Sequence, residues 1–302
     1  MIKGAAPVTA GKPPVVSIGL PVYNGARHLA ESIESLLAQT FIDFELIISD
    51  NASTDETETI CRAYAARDQR IRYVRQPENL GSARNWNFVV DLARGEYFKW
   101  ASANDLCAPQ MLEHCVEVMR SEPDVVLCYG RTQLIDDEGK IIHVYPHDLE
   151  VLEARPSTRF RRLCLELRLN NGQSGLHRLA TLRRTGVERN YPTGDTVLAA
   201  ELALHGRFRR LSEVQLNRRM GRHSASRYLT PRELRIFLGA KDQEVHRVVW
   251  LTHGDYFRSV LRAPIGVLEK LSALAFVLRS VWWHRVALWR ELRAHSDTCR
   301  SP

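Results

Sequence analysis

The chain has little with which to staple itself, to be exported or to cross a membrane. Its six cysteines (Cys61, Cys107, Cys115, Cys128, Cys164 and Cys299) include no C-x-x-C pair and no even spacing. They read as free thiols in a reducing cytosol, not as a disulfide framework. No apolar run approaches the roughly 18 residues of a spanning helix. Residues 1–14 lack the apolar centre of a signal peptide and read as a flexible lead-in. There is no internal repeat and no low-complexity tract. The turn after the first strand pattern lacks G-x-G-x-x-G, which sets a dinucleotide-dependent oxidoreductase aside. No nucleic-acid-binding module occurs, so no nucleic-acid partner is expected.

What is present is an ordinary globular composition. With 44% hydrophobic and 25% charged residues over 302 positions, the chain can bury a sizeable core. The net charge of +7 conceals an asymmetry between its halves. Residues 1–154 carry 14 Lys and Arg against 23 Asp and Glu, whereas residues 155–302 carry 28 against 12. A basic rear half suits anionic lipid headgroups, a pyrophosphate-bearing substrate or nucleic acid.

From residue 15 to about 130, apolar runs alternate with helical patterns. Strands are predicted over 15–20, 44–49, 71–75, 96–101 and 125–129. Helices are predicted over 26–38, 55–66, 82–93 and 109–120, the second with Ile60, Ala63 and Tyr64 facing inward. Such βα alternation predicts an α/β fold with a mostly parallel sheet flanked by helices. Asp136-Asp137-Glu138-Gly139-Lys140 reads as a turn joining an antiparallel pair. Beyond it, helix 156–168, a short strand near 176–183, helix 194–205 and a strand around 208–216 are expected. A mostly helical tail follows, from 231 to about 295.

Two loops carry the first chemical signal. Pro21-Val22-Tyr23-Asn24 ends the first strand, and Asp50-Asn51-Ala52-Ser53-Thr54-Asp55 ends the second. Polar loops at one edge of a parallel sheet form a ligand crevice, and a carboxylate with amides suits a nucleoside. Asn79-Leu80-Gly81 with Arg84 and Asn85 follows the third strand, and Trp100 to Pro109 follows the fourth.

This order of motifs resembles the family 2 glycosyltransferases of GT-A fold over roughly residues 15–225. The resemblance implies a GT-A domain over 15–225, its nucleotide-binding half at 15–130 and its acceptor half at 131–225, with a basic helical extension at 226–302. It implies a nucleoside held by Pro21, Tyr23, Asn24, Asp50, Asn51, Ser53, Asn79 and Gly81, with Arg84 reaching the diphosphate. A divalent cation (Mn²⁺ or Mg²⁺) is implied on Asp105 and Asn104, with His223 from the Arg-rich loop as a further ligand. Asp195 matches the family's catalytic base, and its place in Thr193-Gly194-Asp195-Thr196 also suits an N-cap. Glu201, further along the same helix, is a poorer base.

The implied activity is inverting transfer from a nucleoside-diphosphate sugar, UDP- or dTDP-linked, to a glycan or lipid-linked hydroxyl in bacterial surface polysaccharide or glycoconjugate synthesis. The implied location is the cytoplasm, at the inner face of the plasma membrane. This sequence departs from the family pattern at Asn51, where aspartate is common. It departs again at Ser102 and Asn104, where the acidic motif would stand.

Plainer readings compete. Asp50, Asn51 and Ser53 could only close a turn, Asp105 could be an ordinary loop residue ahead of Pro109, and Arg84 and His223 could be solvated. With its acidic motif altered, the whole chain could be a non-catalytic nucleotide-sugar-binding or scaffold protein. The tail from Leu268 to Arg285, with Trp282 and Trp283 among basic residues, suits either a bilayer interface or packing on the domain or in a dimer.

Overall fold

The computed structural model describes residues 12–221 and 247–298. Strands β1 (Val16–Val22) and β2 (Phe44–Asp50) are buried along their whole length. Their near-continuous apolar runs have this cause: in a parallel sheet, helices cover both faces. β1 lies between β2 and β4 (Tyr97–Trp100), parallel to both, and β3 (Ile71–Arg75) extends the sheet beyond β2. Side chains alternate as the pleat demands. Leu46 and Ile48 enter one core with Ile18 and Leu20, whereas Ile47 enters the other with Phe98 and Trp100.

Helix α1 (Ala26–Leu37) buries Leu29, Ile33 and Leu36 on the first face, joined there by α4 (Met111–Ser121). Helix α2 (Thr57–Arg67) begins two residues later than the sequence predicts. Its buried face is Thr57 and Cys61, and Ala63 is exposed. The four-residue spacing of Thr57 and Cys61 sets that face, a full turn apart on one side. Helix α3 (Ser82–Leu92) lies close on β1. A Cβ on Gly19 would sit 2.6 Å from a Val89 methyl and 2.7 Å from the Phe98 ring, so only glycine allows that approach.

The rear half is mixed. β6 (Val125–Ile135) pairs in parallel with β9 (Arg207–Arg219) and antiparallel with β8 (Leu176–Arg178). β8 joins it antiparallel to β4, giving the order β3-β2-β1-β4-β8-β6-β9-β5 with β5 at Leu106–Cys107. The expected turn at 136–140 does join an antiparallel pair, β6 and β7 (Ile141–Val144). The strand expected over 176–183 stops at Arg178, where the chain turns into the short helix α6 (Leu179–Leu182). The strand expected over 208–216 continues to Arg219.

Helices α5 (Pro156–Glu166) and α7 (Gly194–His205) cover the second face. The described part of the tail is three helices: α8 (Val248–Arg262), α9 (Val267–Trp283) and α10 (Arg285–Thr298). Pro264 follows the end of α8, where its ring forbids continuation. Tyr256, Val260, Ala273, Phe276 and Val277 share the core of α5 and α7, with the Phe160 ring edge-on to Tyr256 and Phe276. Residues 231–246 of the expected tail lie outside the described residues. Among the described residues, no helix is long and apolar enough to cross a membrane.

Candidate active site

The loops after β1, β2 and β3 are bonded into one cluster at the carboxyl edge of the sheet. Asn24, at φ 50°, receives the amide of Thr54 on its Oδ1 at 2.8 Å and donates its own N–H to Ser53 Oγ at 2.9 Å. Asparagine tolerates this left-handed conformation better than most residues. Tyr23 beside it is exposed, and Pro21 is buried in β1 past the last β1–β4 pair. Asp50 is fully buried. Its Oδ1 accepts the Ser53 amide at 2.8 Å and its Oδ2 accepts the Tyr73 hydroxyl at 2.8 Å, with Arg75 Nε 3.5 Å away. Asp50 therefore closes the turn, and the left-handed φ of 61° at Ala52 lies inside it.

Asn51 ties this loop to the next. Its Nδ2 donates to Asn79 Oδ1 at 2.8 Å and its Oδ1 accepts the Leu80 amide at 2.8 Å. Asn79 Oδ1 also accepts the amide of Gly81, which stands at φ 82°. The departure from aspartate at 51 thus has a structural use: a carboxylate could not donate to Asn79. Arg84 is exposed in the first turn of α3. Asp55 accepts the amides of Ala26 and Thr57 at 3.1 Å each, so it links the starts of α1 and α2.

A second cluster gathers around the loop after β4. Asp105 is buried, and its Oδ1 accepts the Arg219 amide at 2.9 Å. Burial raises its carboxyl above the usual range, while Arg218 pulls it back down. Arg219 spans the loop: Nε donates to Asn104 O at 3.0 Å, Nη1 to Asp137 O at 2.7 Å, and Nη2 to Glu31 at 2.8 Å.

Asp195 stands in the first turn of α7. Thr193 holds the N-cap position, so the expected capping role of Asp195 gives way to a place one step inside the helix. Its Oδ1 accepts the Thr196 amide at 2.7 Å, and no hydrogen bond to its Oδ2 is made among the described residues. Burial raises its carboxyl, and Arg218 again opposes the shift. Arg218 donates to Asn171 Oδ1 at 2.6 Å, so one guanidinium is electrostatically coupled to both Asp105 and Asp195.

Two participants are absent from the sequence reading. Glu188 is half-buried, accepts from Gln173 Nε2 at 3.0 Å, and is pushed up to about 8 by burial and by the Asp195 charge. Nothing in the chain between residues 188 and 195 announces that pairing. Lys99 is buried in β4 and donates to Trp100 O at 3.1 Å and to Ser174 O. A lysine inside Tyr-Phe-Lys-Trp was a readable clue, since charge is seldom buried unpartnered. Glu201 is fully buried between Arg189 and Arg262, a core ion-pair site rather than a base.

Of the three expected cation ligands, His223 lies outside the described residues. Asp105 already accepts from Arg219, and Asn104 contributes no charge. Among the described residues, no three His, Cys, Asp or Glu side chains come together as a metal site. Asp105 is the single carboxylate among these donors, so a hard divalent cation here would draw most of its oxygen shell from diphosphate and water.

The sequence profile of glycosyl transferase family 2 matches residues 17–189, more than half of the chain. An uncharacterized glycosyltransferase of Rickettsia felis is 36% identical over 139 residues, covering 45% of this chain and 22% of that protein. Chondroitin synthase of Escherichia coli is 34% identical over 134 residues, covering 44% of this chain and 19% of that protein. The matches thus span about a fifth of these relatives' length.

Among solved structures, S. aureus TarS 1-349 in complex with UDP-GlcNAc superposes with a TM-score of 0.62 at 18% identity, covering 90% of this chain and 74% of that one. A mannosyltransferase from Pyrobaculum calidifontis, in complex with GDP-Man and Mn²⁺, gives 0.53 at 17% identity, covering 93% and 85%. These likenesses establish the fold, a GT-A-like α/β sheet with C-terminal helices. On the extent of the profile match, the chain belongs to glycosyl transferase family 2.

Proposed function

We propose that the protein transfers a sugar, with inversion, from a nucleoside-diphosphate sugar to a hydroxyl of a glycan or lipid-linked acceptor in surface polysaccharide or glycoconjugate assembly. One observation carries the reading. Asp195 has a raised carboxyl and an oxygen with no hydrogen bond among the described residues, in the first turn of α7, where the Arg218 charge acts on it. A carboxylate so placed suits a general base. The acceptor O–H gives its proton to Asp195 as its oxygen bonds to the anomeric carbon. The bond from that carbon to the diphosphate oxygen breaks, and the nucleoside diphosphate leaves with the electron pair. Arg218 is the resident positive charge facing the developing negative charge.

The loop cluster supports a nucleoside site, with Tyr23 exposed for stacking, Asp50, Asn51 and Ser53 lining the turn, and Asn79, Gly81 and Arg84 closing its far side. A uridine- or thymidine-linked donor remains the reading for the base. That proteins of similar fold were crystallised with UDP-GlcNAc and GDP-Man agrees with a donor of this class. The tie between Asp105 and Arg219 favours a second reading, a nucleotide-sugar-binding protein without turnover. A thermal-shift screen of nucleoside diphosphates and their sugars, followed by a transfer assay, separates them. A specific shift with product supports transfer; a shift with no product on any hydroxyl acceptor supports the binder; no shift contradicts both.

A further inference from the structure

We infer that helices α8, α9 and α10 form a docking platform for an anionic lipid surface, with a headgroup phosphate seated in the cleft between α8 and α10. The first observation is an apolar stripe with no partner among the described residues. On α9, Leu268, Leu271, Ala275, Leu278 and Trp282 are all exposed. Their alternating spacing of three and four places them along a single face. The opposite face is spent on the protein, since Ala273, Phe276 and Val277 are buried against α5 and α8. Leu268 is 79% and Trp282 62% exposed, far beyond what a core helix leaves open.

The second observation is charge. Arg285 lies over the Trp282 ring at 4.4 Å, Arg279 over Trp283 at 5.3 Å and Arg293 over Trp289 at 5.5 Å. Exposed tryptophan with arginine stacked on it is the side-chain chemistry of a headgroup layer, ring in the apolar boundary and guanidinium on phosphate. The acidic groups through residue 293 are engaged by the protein itself, Asp255 in part by Arg258 of this surface at 2.9 Å. Asp255 accepts from Tyr191 at 2.6 Å, Glu269 from the Ser157 amide at 2.9 Å, and Glu291 from the Val249 amide at 3.0 Å. The outer face is therefore apolar and cationic.

The cleft adds a seat. Arg247, Trp250, Leu251, Gly254, Arg258 and Leu292 line an open, almost wholly apolar cleft of about 300 Å³, with Arg258 also paired to Asp255. A Cβ on Gly254 would have nothing within 4 Å, so its floor is open. That volume suits a phosphodiester with the first part of its acyl chains. A second copy of the chain is the poorer occupant. A two-fold interface would set this patch against itself, arginine facing arginine.

The test is co-sedimentation of the full chain with vesicles of phosphatidylcholine alone or with roughly 30% phosphatidylglycerol, an anionic lipid. Binding is read without any donor, so it is independent of the transfer reading. The inference expects binding to the anionic vesicles only, with a blue shift of tryptophan emission and weakening at high salt. The pair Arg279→Ala and Arg285→Ala should weaken it about 20- to 30-fold. Gly254→Leu fills the cleft within a helix and should weaken it several-fold with circular dichroism and Tm preserved. Equal binding to both vesicles, binding to neither, or a dimer abolished by Trp282→Ala and Trp289→Ala would overturn it.

Discussion

Asp105 accepts the backbone N–H of Arg219 at 2.9 Å, so the one carboxylate in the loop after β4 is bound to the last strand of the sheet. The same arginine holds the neighbouring carbonyl of Asn104 at 3.0 Å. Arg219 thus braces the loop, and the charges of Arg218 and Lys99 act on Asp105 as well.

Free Mn²⁺ should therefore give the protein little stabilisation, with a Tm shift under about 1 °C at millimolar metal without nucleotide. Asn104→Asp places a second carboxylate in the loop and should acquire a clear shift. Differential scanning fluorimetry reads both. A large shift in the wild type would show that these donors suffice.

Arg219→Ala should be costly. It leaves the carbonyls of Asn104, Asp136 and Asp137 without their guanidinium donor in a corner where Arg219 is 2% exposed. A loss of about 3 kcal/mol is expected, which lowers Tm by roughly 6–10 °C. Chemical denaturation measures it, and an unchanged midpoint would mean that the loop holds itself.

Glu188 makes stability depend on pH. Its carboxyl is raised to about 8 by burial and by Asp195, so the folded chain keeps a proton that the unfolded chain releases near the ordinary value of 4.5. Folded protein thus binds more protons across that window, and stability falls as pH rises from about 4.5 to about 8. Glu188→Gln removes the effect. The Tm difference between variant and wild type should widen up to about pH 8 and then level off. A constant difference from pH 5 to 9 would contradict the pairing.

Asn51→Asp tests the departure from the family pattern. The variant loses the donor to Asn79 Oδ1 and sets a carboxylate against an acceptor, at a cost of about 1–3 kcal/mol. Urea denaturation should show it, and Asn79→Asp should not rescue it.

Much of this was legible in the sequence because it is local. The alternation of buried strands and amphipathic helices from β1 to α4 follows from period and turn residues, and the Asp50 loop from its Asx chemistry. The helix start that carries Asp195 is legible too, through the family resemblance of Thr193-Gly194-Asp195-Thr196. Less was legible where contacts are distant. β8 ends at Arg178 because the chain turns there from the middle of the sheet into α6 on the second face, which no propensity records. The antiparallel placement of β8 between β4 and β6 depends on pairing across the sheet. Asp105 and Arg219 are 114 residues apart, and Glu201 meets Arg262 across 61. Such pairs exist only once the fold has brought them together.

The proposed reaction turns on the carboxylate of Asp195. With a donor found in the nucleoside-diphosphate sugar screen, single-turnover transfer by the wild type and Asp195→Asn tests it, alongside calorimetric nucleotide affinity. The asparagine should slow transfer about 10²- to 10⁴-fold and leave affinity within about twofold. Transfer at the wild-type rate would contradict the assignment of Asp195 as the base.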